Sequence, residues 1–557
     1  MMTRKILLAG AAALALVACG KKDDSGAPAA AASGDAANLS ATSPIDKKFA
    51  LKDGEEINID EFFAILAVDN PPTYDSAAFD KSLGATVVTN LRFGGGEGDD
   101  PVVVERAEFY GVDEEAMSRV RQAKDAGPDA PYEQIFEKVR LFNLSTNRTG
   151  DAESDGQADV SIGGIEFDKF ALRQGGEEGN PDGDDAANFF NAVSFGGIYF
   201  KDIDVNVASD EDQNVALSAP DFRIVGMGGG KINAILASDV SYNFEQGDEV
   251  RAAMREAMGP QGAVLLDGPL GGMIAPDSQR ATIGSFEWRG IDFSGALAYG
   301  VKGEDAPATE RNLIDLGGMK IADMVSFIED REVAKVDEIS VPKMKFAWLI
   351  PSDFRMDMKG AVTDYTAYVP DAENPAHAVL KEHGLDKVKG DGFAEWKWNP
   401  DKGDGRFAYE AKSPGVLDLT MDLEMVGATL KEIAAESDDS ENTFAKNAEL
   451  KSFSLKLDDK KTLDAIFDIA ALQMGGTGAD LRQSAPALIR LSGAQFAQLN
   501  PRISDYIDAV ADFIAKGGSL EIKAAPEEPV GAADLETMGA APQALPDVLD
   551  LTITHEE

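Results

Sequence analysis

Leu417-Asp418-Leu419-Thr420-Met421-Asp422-Leu423-Glu424-Met425 sets the fold class of this chain. Apolar and polar residues alternate without a break, so an extended strand puts five apolar side chains on one face and Asp418, Thr420, Asp422 and Glu424 on the other. A wholly apolar face has to lie against something, either a packed core or a greasy groove. Working outward, similar patterning predicts strands over 85–93, 102–110, 221–225, 232–244, 343–349, 356–368, 393–398 and 406–412. Helical spacing predicts helices over 113–124, 130–142, 248–258, 319–329 and 375–383, with Asp113 and Asp248 placed as N-caps.

The last hundred residues change character. A strand over 449–457 leads into helices over 461–474, 479–491 and 501–516, each with an apolar stripe read as core-facing, and Gly517-Gly518 is a stop signal. Short strands over 520–524 and 548–554 follow. The expected architecture is α+β and β-rich: an extended antiparallel sheet with peripheral helices in a body over 45–448, then a C-terminal α+β lobe over 449–557.

Three stretches repeat a phrase. Gly163-Gly164-Ile165-Glu166-Phe167 continues to Phe170 and Leu172, Gly196-Gly197-Ile198-Tyr199-Phe200 to Ile203 and Val205, and Gly284-Ser285-Phe286-Glu287-Trp288 to Ile291 and Phe293. A partial fourth copy holds Met344, Phe346 and Leu349. Each alternates, slips phase by one residue and alternates again, as a strand with a bulge does. The phrase resembles those of AsmA-like and other repeated-strand periplasmic envelope proteins. That resemblance implies an elongated sheet with an apolar inner face, used to shield lipids or to pack against other envelope parts.

The N-terminus reads as an export signal. Arg4 and Lys5 precede an apolar run from Ile6 to Val17, too short to span a bilayer, and Leu16-Val17-Ala18-Cys19 closes it with the only cysteine of 557 residues. L-V-A-C resembles the lipobox of bacterial lipoproteins, which implies removal of residues 1–18 and acylation of Cys19. The absence of aspartate after Cys19 implies, by the sorting rule of enteric bacteria, an outer-membrane anchor facing the periplasm. Small and polar residues over 20–44 predict a disordered tether reaching roughly 25 to 30 Å.

With 52 Lys+Arg against 98 Asp+Glu the net charge is −46, or −48 once Arg4 and Lys5 leave with the leader. This disfavours nucleic acid as a partner and leaves membrane attachment to the lipid anchor. Catalytic signatures are sparse. His377 and His383 are six apart and face different sides of a helix, no H-E-x-x-H or G-x-S-x-G is present, and acylation would remove Cys19 as a nucleophile. Gly226-Met227-Gly228-Gly229-Gly230-Lys231 lacks the Ser or Thr of a phosphate loop and reads as a strand connection, while Gly94-Gly95-Gly96 reads as an acidic turn.

The best metal candidate is Asp151, Glu153, Asp155 and Asp159, spaced like the start of a calcium loop with Gly156 at its sixth position, although Ile162 replaces the bidentate glutamate at the twelfth. The alternative is a solvated turn, and Asp182, Asp184 and Asp185 form a weaker one. Trp396 and Trp398 share a strand face and either stack on a ligand or stabilise the sheet. Together these features predict a non-catalytic envelope binding or scaffolding lipoprotein, with no cofactor beyond calcium and with lipid or another envelope protein as partner. The alternatives are a carrier or chaperone of lipid or another apolar ligand and, more distantly, a carboxylate-dependent glycan hydrolase.

Overall fold

The structure, a computed structural model, describes residues 36–65, 71–94, 101–123, 130–148, 157–175, 184–208, 214–245, 278–307, 309–348, 350–369, 371–435, 446–498, 500–531 and 542–557. They fall into two compact units, the first within 1–254 and 278–322, the second within 323–557. The fold is α+β and β-rich, and every strand pairing named below is antiparallel. The expected division at 448/449 lies inside the second unit's sheet. The boundary instead falls within a strand at 322/323.

The first unit contains α1 (Ile59–Ile65), β1 (Ser76–Asp80), β2 (Ala85–Phe93), β3 (Val102–Val112), α2 (Glu114–Gln122), β4 (Tyr132–Arg148), β5 (Gln157–Arg173), α3 (Asp185–Ala192), β6 (Val193–Ala208), β7 (Asn214–Gly228), β8 (Lys231–Glu245), β9 (Ser278–Asp292) and α4 (Ser294–Gly300). Strands β1 to β9 pair in sequence order. Val88, Ala107, Leu141, Ile165, Phe200, Phe222 and Ala237 stand opposite one another from β2 to β8, and all are buried. Phe62 and Phe63 of α1 and Met117 and Val120 of α2 belong to the same core. Asp113 caps α2 as expected, accepting the Ala116 N–H at 2.8 Å.

The phase slip of the repeat is a backbone kink. Two residues past the aromatic position of each copy, Lys169, Asp202 and Gly290 have φ of 50°, 49° and 74°. The ladder skips these positions, so the apolar set returns to the same face beyond them. The leading small residue of one copy faces the kink of another: a Cβ on Gly163 would lie 3.0 Å from that of Asp202, and one on Gly196 3.2 Å from that of Lys169. In the partial copy the register shifts between Lys345 and Phe346, and Leu349 lies outside the described residues.

Two expected helices are strands. In 130–142, Ile135, Phe136, Val139 and Phe142 mimic a helical period because β4 carries a bulge between Gln134 and Phe136. Its other face is buried as well, by the charged side chains of Lys138 and Arg140. The stretch 319–329 is β10 (Gly318–Ile328), whose alternation breaks at Asp323, with φ 53°. The expected helix over 248–258 lies outside the described residues.

Across the first unit's other face runs a buried charged row: Glu108, Arg140, Glu166, Tyr199 and Arg223 stand opposite one another from β3 to β7. Charges are tolerated there only because each is paired. Glu166 binds both Lys138 and Arg140, and Lys138 also reaches Asp168 at 2.8 Å. Residues 36–51 strap this row. Arg223 donates to the carbonyls of Ala36, Asn38 and Ala41, Arg289 to Ala37, and Arg140 to Pro44 and Lys47. Phe49 packs edge-on to Tyr110 at 4.9 Å. The last nine residues of the expected tether, 36–44, are therefore bound: their backbone carbonyls accept hydrogen bonds from buried guanidinium groups, which composition cannot reveal.

The second unit contains β11 (Arg331–Val341), β12 (Met344–Ala347), β13 (Ile350–Thr363), α5 (Pro375–Glu382), β14 (Val388–Trp398), β15 (Gly405–Ser413), β16 (Leu417–Val426), α6 (Leu430–Ala435), β17 (Glu449–Asp459), α7 (Thr462–Met474), α8 (Gly478–Ala497), α9 (Arg502–Lys516), β18 (Gly518–Ala524), β19 (Val530–Gly531), α10 (Leu545–Val548) and β20 (Thr552–Glu556). Its sheet runs β11-β13-β14-β15-β16-β17-β18-β20, with β12 beside β13 and β19 beside β17. The strand expected over 548–554 begins only at Thr552, because Leu545–Val548 forms a helical turn.

Candidate functional site

The alternating strand that fixes the fold class, β16, lies in the middle of the second unit's sheet, and its neighbours extend its apolar face in register. Met356, Ala394, Tyr409, Met421, Leu455, Ile522 and Ile553 form one row from β13 to β20. Phe354, Trp396, Phe407, Leu423 and Phe453 form the next. Paired residues of an antiparallel ladder point to the same side, so both rows share one face.

Unlike the first unit's core, this face is not closed. Met356 is 40% exposed, and Leu419, Met421, Leu423, Met425, Phe453, Leu455 and Ile522 are all half-buried. At the β18–β20 edge α9 covers part of it: Phe513 meets His555 edge-on, and the His555 ring donates to the Gly517 carbonyl at 2.7 Å.

The reverse face is a lattice of ion pairs. Arg355 pairs with Asp357 at 2.8 Å and lies over the Phe393 ring, Lys412 pairs with Glu410 at 2.8 Å, Lys451 with Glu424 at 3.0 Å, and Arg406 with Asp422. A cavity of about 450 Å³ sits at one end of β13 to β17. Its lining includes Asp353, Lys397, Trp398, Arg406, Glu424 and Met425. The cavity is thus lined chiefly by charged groups of the reverse face, whereas the apolar rows offer a surface against which an apolar body can lie.

Trp396 and Trp398 do share the apolar face, and each indole N–H is held at 2.8 Å by a backbone carbonyl, that of Pro351 and Ala428 respectively. Cys19 and the loop residues Asp151, Glu153 and Asp155 lie outside the described residues. Asp159 is exposed within β5, opposite Asn147 and Asn206. Asp182 is likewise outside, whereas Asp184 caps α3 by accepting the Ala187 N–H. Among the described residues no group of three or more acids or histidines is placed to hold a metal ion. His383 bonds Asp468 at 2.8 Å, and Gly226 to Lys231 joins β7 to β8.

Glu166 and Asp168 converge, but on the Lys138 ammonium and beneath the strap, with Glu166 almost wholly buried. Sequence reasoning missed the strap-binding arginines. The one signal for them was the charge interleaved with the repeat's apolar positions, as at Glu166.

Residues 408–556 match a family described as an uncharacterized protein. The match spans β16, β17 and the three helices α7 to α9. No curated protein matches the chain.

Proposed function

We propose that the chain is a non-catalytic lipoprotein, held through Cys19 at the periplasmic face of the outer membrane, that binds an apolar envelope partner on the open sheet face of its second unit. The observation that carries this reading is the half-burial of an in-register apolar face around β16, beside a first unit whose equivalent face is filled. The face is rich in methionine, with Met356, Met358, Met421 and Met425, and methionine adapts to partners of varied shape. That favours the more specific reading, a carrier of lipid acyl chains. Anchoring is tested by Cys19→Ala, which should move the folded protein from the membrane fraction to the soluble fraction. An unacylated Cys19 in the mass of the wild-type N-terminal peptide would remove lipid anchoring from the account.

A further inference from the structure

We propose that the α7–α8 hairpin is a lipid-surface contact, inserting outward apolar side chains into the interfacial region of a bilayer. Among the described residues the six most exposed large apolar side chains all lie on it: Leu491 (75%), Met474 (73%), Leu488 (64%), Ile466 (54%), Phe496 (52%) and Leu472 (46%). The helical stripes were expected to face the core, and these positions do not.

Charge separates this surface from the rest of the chain. Over the hairpin, residues 462–497, three acids, Asp464, Asp468 and Asp480, stand against two bases, Arg482 and Arg490, a net of −1 in a chain of −46. All five are held by neighbours, Asp468 by His383 at 2.8 Å. Asp480 accepts from the Thr477 hydroxyl at 2.7 Å, Arg482 pairs with Asp464 and donates to the Ile514 carbonyl, and Arg490 binds Asp508 and Asp512 of α9 at 2.7 Å each.

The occupant this surface fits is a lipid surface. An acidic body is repelled least by anionic headgroups where its carboxylates are few and paired. No helix among the described residues is long and apolar enough to span a membrane, so the contact is one of lying on the bilayer, not crossing it. The proposal rests on the anchored reading only for bringing a bilayer near the body.

The test uses the full lipidated chain, in which acylation of Cys19, the only native cysteine, leaves an introduced thiol as the sole reactive one. Leu491→Cys, Met474→Cys and, as a control on the charged face, Thr420→Cys are labelled with a polarity-sensitive fluorophore. Each is mixed with vesicles of equal parts phosphatidylethanolamine and phosphatidylglycerol carrying bilayer-embedded quenchers, and the series is repeated in a Cys19→Ala background.

The expected result is a blue shift and quenching at 491 and 474 but not at 420. In the Cys19→Ala background, adding Leu488→Glu to the Leu491→Cys chain should lower vesicle partitioning roughly tenfold, the factor for losing one buried leucine. Unquenched emission at 491 and 474 overturns the proposal. So does a blue shift that appears without vesicles and grows with protein concentration, since a second copy would then be the occupant. The mass of the N-terminal peptide reports the anchor independently: quenching without acylation leaves the hairpin contact standing, and acylation without quenching removes it alone.

Discussion

Glu166 holds two cations in a space that water does not reach, with Lys138 on one oxygen and Arg140 on the other. Its removal leaves two buried positive charges with one carboxylate, Asp168, two strap carbonyls and the Phe49 ring as partners. Glu166→Ala should therefore destabilise the first unit by about 3–5 kcal/mol, measured by urea denaturation, and a loss below about 1 kcal/mol would mean the row is not buried as described.

Asp459 shows the opposite economy. Burial raises its carboxyl above the ordinary 3.8, although the N–H groups of Thr462 and Leu463 at the start of α7 favour the ionised form. A raised folded value means the native state binds the proton more readily than the unfolded chain. The stability from this group is complete below the unfolded value and is lost as pH rises through the folded one. Asp459→Asn keeps the cap without the charge. It should melt higher than the wild type at neutral pH, with the gap closing below the ordinary carboxylate range; a gap that widens on acidification would contradict the burial.

At the scale of the element, β16 was legible because its alternation is unbroken over nine residues, and β15 and β17 were legible for the same reason. β4 and β10 were not. A bulge in one and a left-handed Asp323 in the other shift the apolar set by one residue, and a shifted alternation imitates a helix. Bulges were inferred correctly only where the sequence repeats them, since three copies slipping at the same place cannot be helices. The strap over 36–51 was illegible because much of its binding runs through backbone carbonyls, with only scattered side chains such as Ile45 and Phe49 packed beneath it. β16 also supplies a direct test. Leu419→Asp places a charge on the half-buried apolar face and should cost about 1–3 kcal/mol, whereas Thr420→Asp, exposed between Glu410 and Lys456, should change stability by no more than about 0.5 kcal/mol. Equal tolerance in thermal melts would mean that β16 is not one-sided.

At the scale of the molecule, each unit builds an antiparallel sheet with one apolar face, and the two faces meet different fates. In the first unit helices and large side chains fill it, and the reverse face is sealed by the strap. In the second, ion pairs satisfy the reverse face, and the apolar rows through Tyr409 and Met421 are only partly buried. A solvated apolar face of this extent is a binding surface or a liability, and the net charge of −46 keeps such a chain soluble while the face is free. On the proposed function, apolar ligand occupies this face. The most direct measurement of that is the amount of non-covalent lipid extracted per mole of detergent-free purified protein, wild type against Met421→Glu. The account predicts lipid approaching one molecule or more per wild-type chain, and its loss in a variant that still unfolds cooperatively. Lipid-free wild type, or equal lipid in both proteins, would contradict it.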